Sequence, residues 1–226
     1  GTNDMTKTIW HQNEIGVGLN STGALDSILI GKGGGGIASN VRMGPSALSV
    51  NTTGTNNIAI GSNAMPSNTT GGFNIAIGIG AMQANVGGAN NIAIGIGAMQ
   101  ANVGGANNLA IGWLALGTNN GANLNLAIGL GALQNTTTAS NQGVGHSALR
   151  QNVSGTQNVA IGEETMNDNI SGSFNTAVGY WALRAVKGNS NTAVGNTSLQ
   201  NVTTGTGNIG VGNASGYTNS LGSATI

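Results

Sequence analysis

Chemistry at a protein site needs titratable, nucleophilic or metal-binding side chains held close together, and this chain offers few. Its 226 residues include two His, six Asp or Glu, six Lys or Arg, and no Cys. The lack of Cys removes thiol nucleophiles, disulfides and Cys-ligated zinc. His11 and His146 lie far apart in sequence. Glu163 and Glu164 are adjacent, so a strand would send them to opposite faces and a turn would leave both solvated. Asp168 is near enough to add a third carboxylate to a small acidic spot. Glycoside hydrolysis needs two carboxylates held across a sugar cleft, which makes a hydrolase the weakest reading. Lys32 sits in GKGGGG (31–36) without the GxxxxGK[ST] order that cradles phosphate. The Asp-rich nonapeptide of calcium-binding β-helices is absent too. No metal, no cofactor and no catalysis are expected.

Composition narrows the remaining classes. Charged residues are 5% of the chain, against about 25% in an ordinary soluble domain. The net charge is zero and the Lys and Arg are scattered, which argues against nucleic acid as a partner. No apolar run reaches the ~18 residues of a membrane span, so no membrane insertion is expected. The first residues, GTNDM, carry no secretory h-region. Disorder would call for low hydrophobicity with high net charge, whereas 38% of this chain is apolar. Between Met43 and Leu149 there is no Asp, Glu, Lys or Arg. A monomer with that surface has little electrostatic protection from association. The chain reads as one made to be assembled.

A repeat organises the sequence. Residues 75–91, IAIGIGAMQANVGGANN, recur unchanged at 92–108. The looser pattern Asn, apolar or Thr, Ala, Ile or Val, Gly recurs in eleven copies, spaced 16 or 17 residues apart from Gly44 to Gly212. Four residues before each of these anchor glycines stands an Asn, among them Asn57, Asn74, Asn91, Asn108, Asn125, Asn158 and Asn175. One before is always aliphatic or Met; two before is Ala or Gly except at Arg42; four after is Leu or Met except at Gly216.

The period-2 alternation inside each copy predicts a strand, and the larger period predicts an all-β, parallel β-solenoid of about eleven coils. Stacked equivalents would turn the Asn row into a hydrogen-bonded ladder. The β-branched face, Ile92 with Ile94, is assigned to the interior. The Ala/Gly face, Ala93 with Gly95, is assigned to the close approach of another chain. The Leu or Met after the Gly is expected to return to the interior from the far wall. Whether the GxxA[LM] stretch is a second strand or a turn of helix stays open. Before residue 40 the register fades: Ile15–Gly18 and Ile28–Gly31 look like worn copies. This gives a cap, neck or degenerate coils at 1–39, a repeat domain at 40–219 and a tail at 220–226.

The position just after the anchor Gly is the variable one, and it is read as outward or inter-chain. Trp113 and Tyr180 occupy it, and Trp181 follows. These three rings are the receptor or glycan contacts the sequence suggests; packing between chains is the competing role. Phe73 and Phe174 share a register and read as turn packing. Ice binding would need a regular Thr ladder, and the Thr positions wander.

The NIAIG and NTAVG cores resemble the head repeats of trimeric autotransporter (YadA-like) adhesins. The longer cycle, NTAVGYWAL (175–183) and NNIAIGIGAMQANVGGAN (90–107), resembles phage tail-fibre shafts. The resemblance implies a left-handed β-roll, a homotrimer around an axis, other tail-fibre proteins as neighbours, and a host cell-surface receptor, with a glycan as one option. The 17-residue period and the missing h-region and membrane anchor favour a virion fibre for host attachment. The alternative is the head of a non-viral adhesin on a bacterial surface.

Overall fold

The computed structural model describes residues 10–11, 14–17 and 28–216. Eleven three-residue strands, from β4 (Val41–Met43) to β14 (Ile209–Val211), pair parallel with their sequence neighbours and in register. This is a parallel β-solenoid of about ten turns, with successive turns 16 or 17 residues apart. At roughly 4.8 Å per coil the stack is on the order of 50 Å long. Ahead of it, β1 (Trp10–His11), β2 (Glu14–Val17) and β3 (Ile28–Gly31) run antiparallel, and β3 pairs antiparallel with β4. The segments at Ile15 and Ile28 thus extend the sheet as an antiparallel meander, in which β3 runs opposite to the solenoid strands. The tail at 220–226 lies outside the described residues.

The two faces of the strands are the reverse of the sequence expectation. In β7 (Ile92–Ile94) the middle residue, Ala93, is 0% exposed, while Ile92 and Ile94 are 36% and 37% exposed. The reason is the thinness of the coil. A Cβ placed on Gly143, at the Ala position of its strand, would lie 3.2 Å from Leu133 Cγ and 3.0 Å from the Ala148 carbonyl. The opposite wall therefore stands one methyl away, and a β-branched side chain has no room there. Ala fits, and the Ile and Val are turned outward. The interior is a column of Ala from the strand wall against Ala and Leu or Met from the far wall, all fully buried.

The far wall is neither strand nor helix. Its Leu and Met residues adopt left-handed φ near 50°, for example 47° at Leu48, 49° at Met99 and 49° at Leu183. Such backbone costs a bulky residue roughly 1–3 kcal/mol. Complete burial of the side chain offsets it by about 1.5–3 kcal/mol, and the same residue's N–H donates to the next coil, as Met99 does to the Ala115 carbonyl at 3.0 Å. Local sequence cannot favour this conformation; packing does.

The coils are pinned by two Asn ladders. In the first, the Asn91 backbone N–H and Nδ2 both donate to Asn74 Oδ1, at 3.0 and 3.2 Å, and Asn108 donates likewise to Asn91. The same arrangement links Asn57 to Asn74 and Asn158 to Asn175. The second Nδ2 proton goes to a glycine carbonyl, Gly105 for Asn91. The second ladder, absent from the sequence reading, is Asn51, Asn68, Asn85, Asn102 and Asn119, each Nδ2 donating to the Oδ1 one coil below at 2.8–2.9 Å. Both ladders meet on one carbonyl per coil: Gly88 accepts from Asn74 and from Asn85. A Cβ on Gly88 would sit 2.5 Å from both Asn85 Oδ1 and the Gly105 carbonyl, so Asn-x-x-Gly is a steric unit. The anchor glycines are equally constrained: Gly95 has φ 136°, and a Cβ there would come 2.4 Å from the Gly112 carbonyl.

The ladders falter where a coil loses one residue. Asn125 keeps its backbone N–H on Asn108 Oδ1, but its Nδ2 reaches Asn119 Oδ1 instead, at 3.5 Å, and Thr136 takes the second-ladder position with a buried Oγ1 that has no partner among the described residues. Val186 and Val202 fill the same position in later coils and are fully buried.

Two outcomes follow in thermal or urea unfolding. Thr136→Val removes an unpaired buried hydroxyl at constant shape and is expected to raise stability by about 1 kcal/mol; a lower melting temperature would show that the hydroxyl is satisfied. Asn91→Ala orphans the Asn108 amide and one bond to the Gly105 carbonyl, and should cost about 2–4 kcal/mol; a loss below ~1 kcal/mol would mean the ladder is ornamental.

Candidate functional site

The outward row after each anchor Gly divides in two. Ile79, Ile96, Trp113 and Leu130 form an exposed apolar stripe in successive coils. His146, Glu163, Tyr180 and Asn196 continue it as a polar one. Rows stay aligned because each following residue's N–H donates to the row carbonyl one coil below: Glu164 to His146, Trp181 to Glu163 and Thr197 to Tyr180. Trp113 and Tyr180 are four coils apart, about 19 Å at one strand spacing per coil. They cannot serve one sugar ring together.

Around Tyr180 the stacking assembles the most chemically varied patch of the described surface. Tyr180 and Trp181 are stacked, with ring centroids 4.8 Å apart and planes 16° apart. The Arg184 guanidinium lies 4.9 Å from the Trp181 ring centroid. Its Nε is 3.3 Å from Glu164 Oε2 and 3.8 Å from Asp168 Oδ2, both on the coil below. Glu163 Oε1 lies 3.5 Å from His146 Nδ1, a pair that is ionic only when the imidazole is protonated. The expected acidic spot is therefore bridged by the Arg184 guanidinium and flanked by an imidazole. Arg184 and His146 were not among the sequence candidates, although their register gives them away: residues 146, 163 and 180 share one row and 150, 167 and 184 another.

The three aromatic candidates separate by environment. Trp113 is 55% exposed and Tyr180 44%, whereas Trp181 is partly covered and its Nε1 is buried with no partner among the described residues. A ring already holding a stacked Tyr and a guanidinium has little face left for a ligand. Trp181 is better placed to fix Tyr180. The Trp181 position has left-handed φ in every coil; Gly80, Gly97 and Gly131 occupy it in three, whereas Glu164 and Trp181, like Leu114 and Thr197, bear a side chain there, at φ 49° and 56° for the first two. These side chains are retained against a local backbone cost.

A second outward surface is the strand wall, whose outward residues from β5 (Ile58–Ile60) to β14 are Ile, Val and Leu except for the uncharged Gln142, Thr176 and Thr192. Beside it runs a shallow groove of about 440 Å³ lined by residues including Asn90, Ile92, Asn107, Leu109, Leu124 and Leu126. Phe73 and Phe174, read from sequence as turn packing, are exposed along the same edge, as is Leu124.

Among the described residues no three His, Asp or Glu side chains converge as metal ligands, and no helix is long and apolar enough to cross a membrane. Comparison of the chain with protein-family models, curated proteins and solved structures finds no match.

Arg184→Ala tests the cluster. Its stability cost should stay near or below 1 kcal/mol, because the ion pairs are partly solvated. Trp fluorescence should shift to the red and become easier to quench, as Trp181 loses its cover. Unchanged emission would show that the guanidinium does not shield the ring.

Proposed function

We propose that the chain is a rigid structural and receptor-binding segment of a trimeric fibre of the phage tail type, which attaches a virion to its host cell surface. The observation that carries this reading is the uncharged, mainly apolar strand face, open along about ten turns. Its side chains recur at one strand spacing, so a partner that fills the face coil by coil must have the same rise. A second copy of the chain has that rise by construction. With the adjoining edge row the strip measures about 16 Å by 50 Å, or ~800 Å² per chain, near what a stable interface needs. The Ala face meets its own core, so association runs through the Ile and Val face instead. Threefold symmetry, a left-handed coil and neighbouring fibre proteins rest on the resemblance of the repeats. The segment performs no chemistry in this reading. Its outward row offers Trp113 and Tyr180 to a surface receptor, and three copies would let weak contacts add through effective concentration.

Light scattering should report three times 22.1 kDa for the wild type. Ile94→Asp with Ile111→Asp should release monomers that keep the β-rich circular dichroism spectrum, because both side chains point outward. A monomeric wild type at micromolar concentration would overturn the assembly. Labelled wild-type protein should adsorb to host cells; if it does not, the receptor-binding role falls.

A further inference from the structure

Tyr180 differs from Trp113 in what stands beside it. Trp113 has Ile96 and Leu130 as row neighbours, whereas Tyr180 has Glu163 one coil below and Asn196 one coil above. Each neighbour is about 4.8 Å away along the axis. Tyr180 is also held from behind by Trp181, which Arg184 braces in turn. A ring fixed in this way loses little entropy when something stacks on it. The outer face carries the negative lobe of the ring quadrupole and suits the polarised C–H face of a pyranose.

The charges around the ring decide which sugar. Arg184 is engaged by Glu164, Asp168 and the Trp181 ring. Arg150 turns its Nε to Gln134 Oε1 at 3.0 Å, toward the coil below its own. Lys187 lies past the inward-facing Val186, beyond the turn of the coil. Around Tyr180 the described charges are therefore three carboxylates, Glu163, Glu164 and Asp168, against the one guanidinium of Arg184. Glu163 stands beside the ring, exposed and able to accept hydroxyl or ammonium protons, and among the described residues it has His146 at 3.5 Å as its one ion-pair partner. On the other side, Asn196 donates to Asn213 Oδ1 at 3.1 Å and keeps its own Oδ1 as an acceptor. Both neighbours of the ring thus present acceptor oxygens. A carboxylate on the ligand would be repelled by Glu163 with only a neutral amide proton of Asn196 to set against it, while an ammonium would find a charge-assisted bond.

We propose that the outer face of Tyr180, between Glu163 and Asn196, binds a non-acidic pyranoside, favouring an amine-bearing hexosamine over its neutral counterpart and excluding uronic and sialic acids. This rests on the attachment role above and gives it a ligand class. Trp181 and Arg184 position the ring and do not touch the sugar.

The test uses the purified full chain and three probes: a glucosamine tetramer, its N-acetylated neutral counterpart, and sialyllactose. In NMR titration the glucosamine tetramer should bind most tightly, the neutral tetramer roughly tenfold more weakly, and sialyllactose not measurably. Tyr180→Ala should abolish binding of both tetramers without unfolding, since other coils carry Pro45, Ser62 or Ile79 at this position. Glu163→Gln should bring the two tetramers to equal affinity, and Ile79→Ala, six coils away in the same row, should change nothing. Sialyllactose binding as well as the neutral tetramer, or tetramer binding that survives Tyr180→Ala, would overturn the assignment. If no probe binds while labelled protein still adsorbs to cells, this inference fails and the attachment role stands. If adsorption is absent as well, both fail.

Discussion

Every coil sits one strand spacing above the last, so each side chain in the solenoid meets its own counterpart about 4.8 Å away. The composition follows from that constraint. Asn tolerates self-stacking because its amide both donates and accepts, and in this protein it does so twice per coil. Gly survives where the carbonyl of the next coil leaves no space for a Cβ. A charge stacked on its like would cost about 3 kcal/mol at an effective dielectric near 20. Where charges do stack closely, the signs are opposite, as Glu164 and Asp168 meet Arg184, and Glu163 faces an imidazole and not another carboxylate.

The same spacing turns sequence variation into surface chemistry. A residue following an anchor Gly is committed to one row, and changing it alters a stripe without disturbing the core. Through coils of Ile79, Ile96, Trp113 and Leu130 the stripe is apolar; from His146 upward it is polar and aromatic. The coil thus separates a conserved-by-geometry interior from a surface that can be rewritten one position per turn. The strand wall differs in kind. Its Ile and Val are outward because the interior is too thin for them, and an apolar ladder of that length is the feature most in need of a partner.

Much of this was legible in the residues. The anchor glycines and the Asn four positions before them gave the coil length, the parallel pairing and one ladder. The second ladder has its own recurrence, Asn-x-x-Gly at Asn51, Asn68, Asn85 and Asn102, but Asn before a turn Gly ordinarily bonds its local backbone, so the recurrence alone does not distinguish a ladder from a turn. The Tyr180 patch was half visible: its rings stood out by rarity, but Arg184 and His146 join it only when residues 17 apart are read as neighbours.

Sequence alone determined the repeat, because periodicity is a property of the chain and any stacked coil must honour it. It could not determine which strand face is buried. Alternation says that Ile92 and Ile94 oppose Ala93, and either face could line a core. The choice depends on the distance to the other wall, which is set by Leu and Met held at left-handed φ that their local sequence does not favour. Only the closed coil fixes that distance, and at one methyl's clearance from Leu133 it admits Ala and turns the larger side chains out.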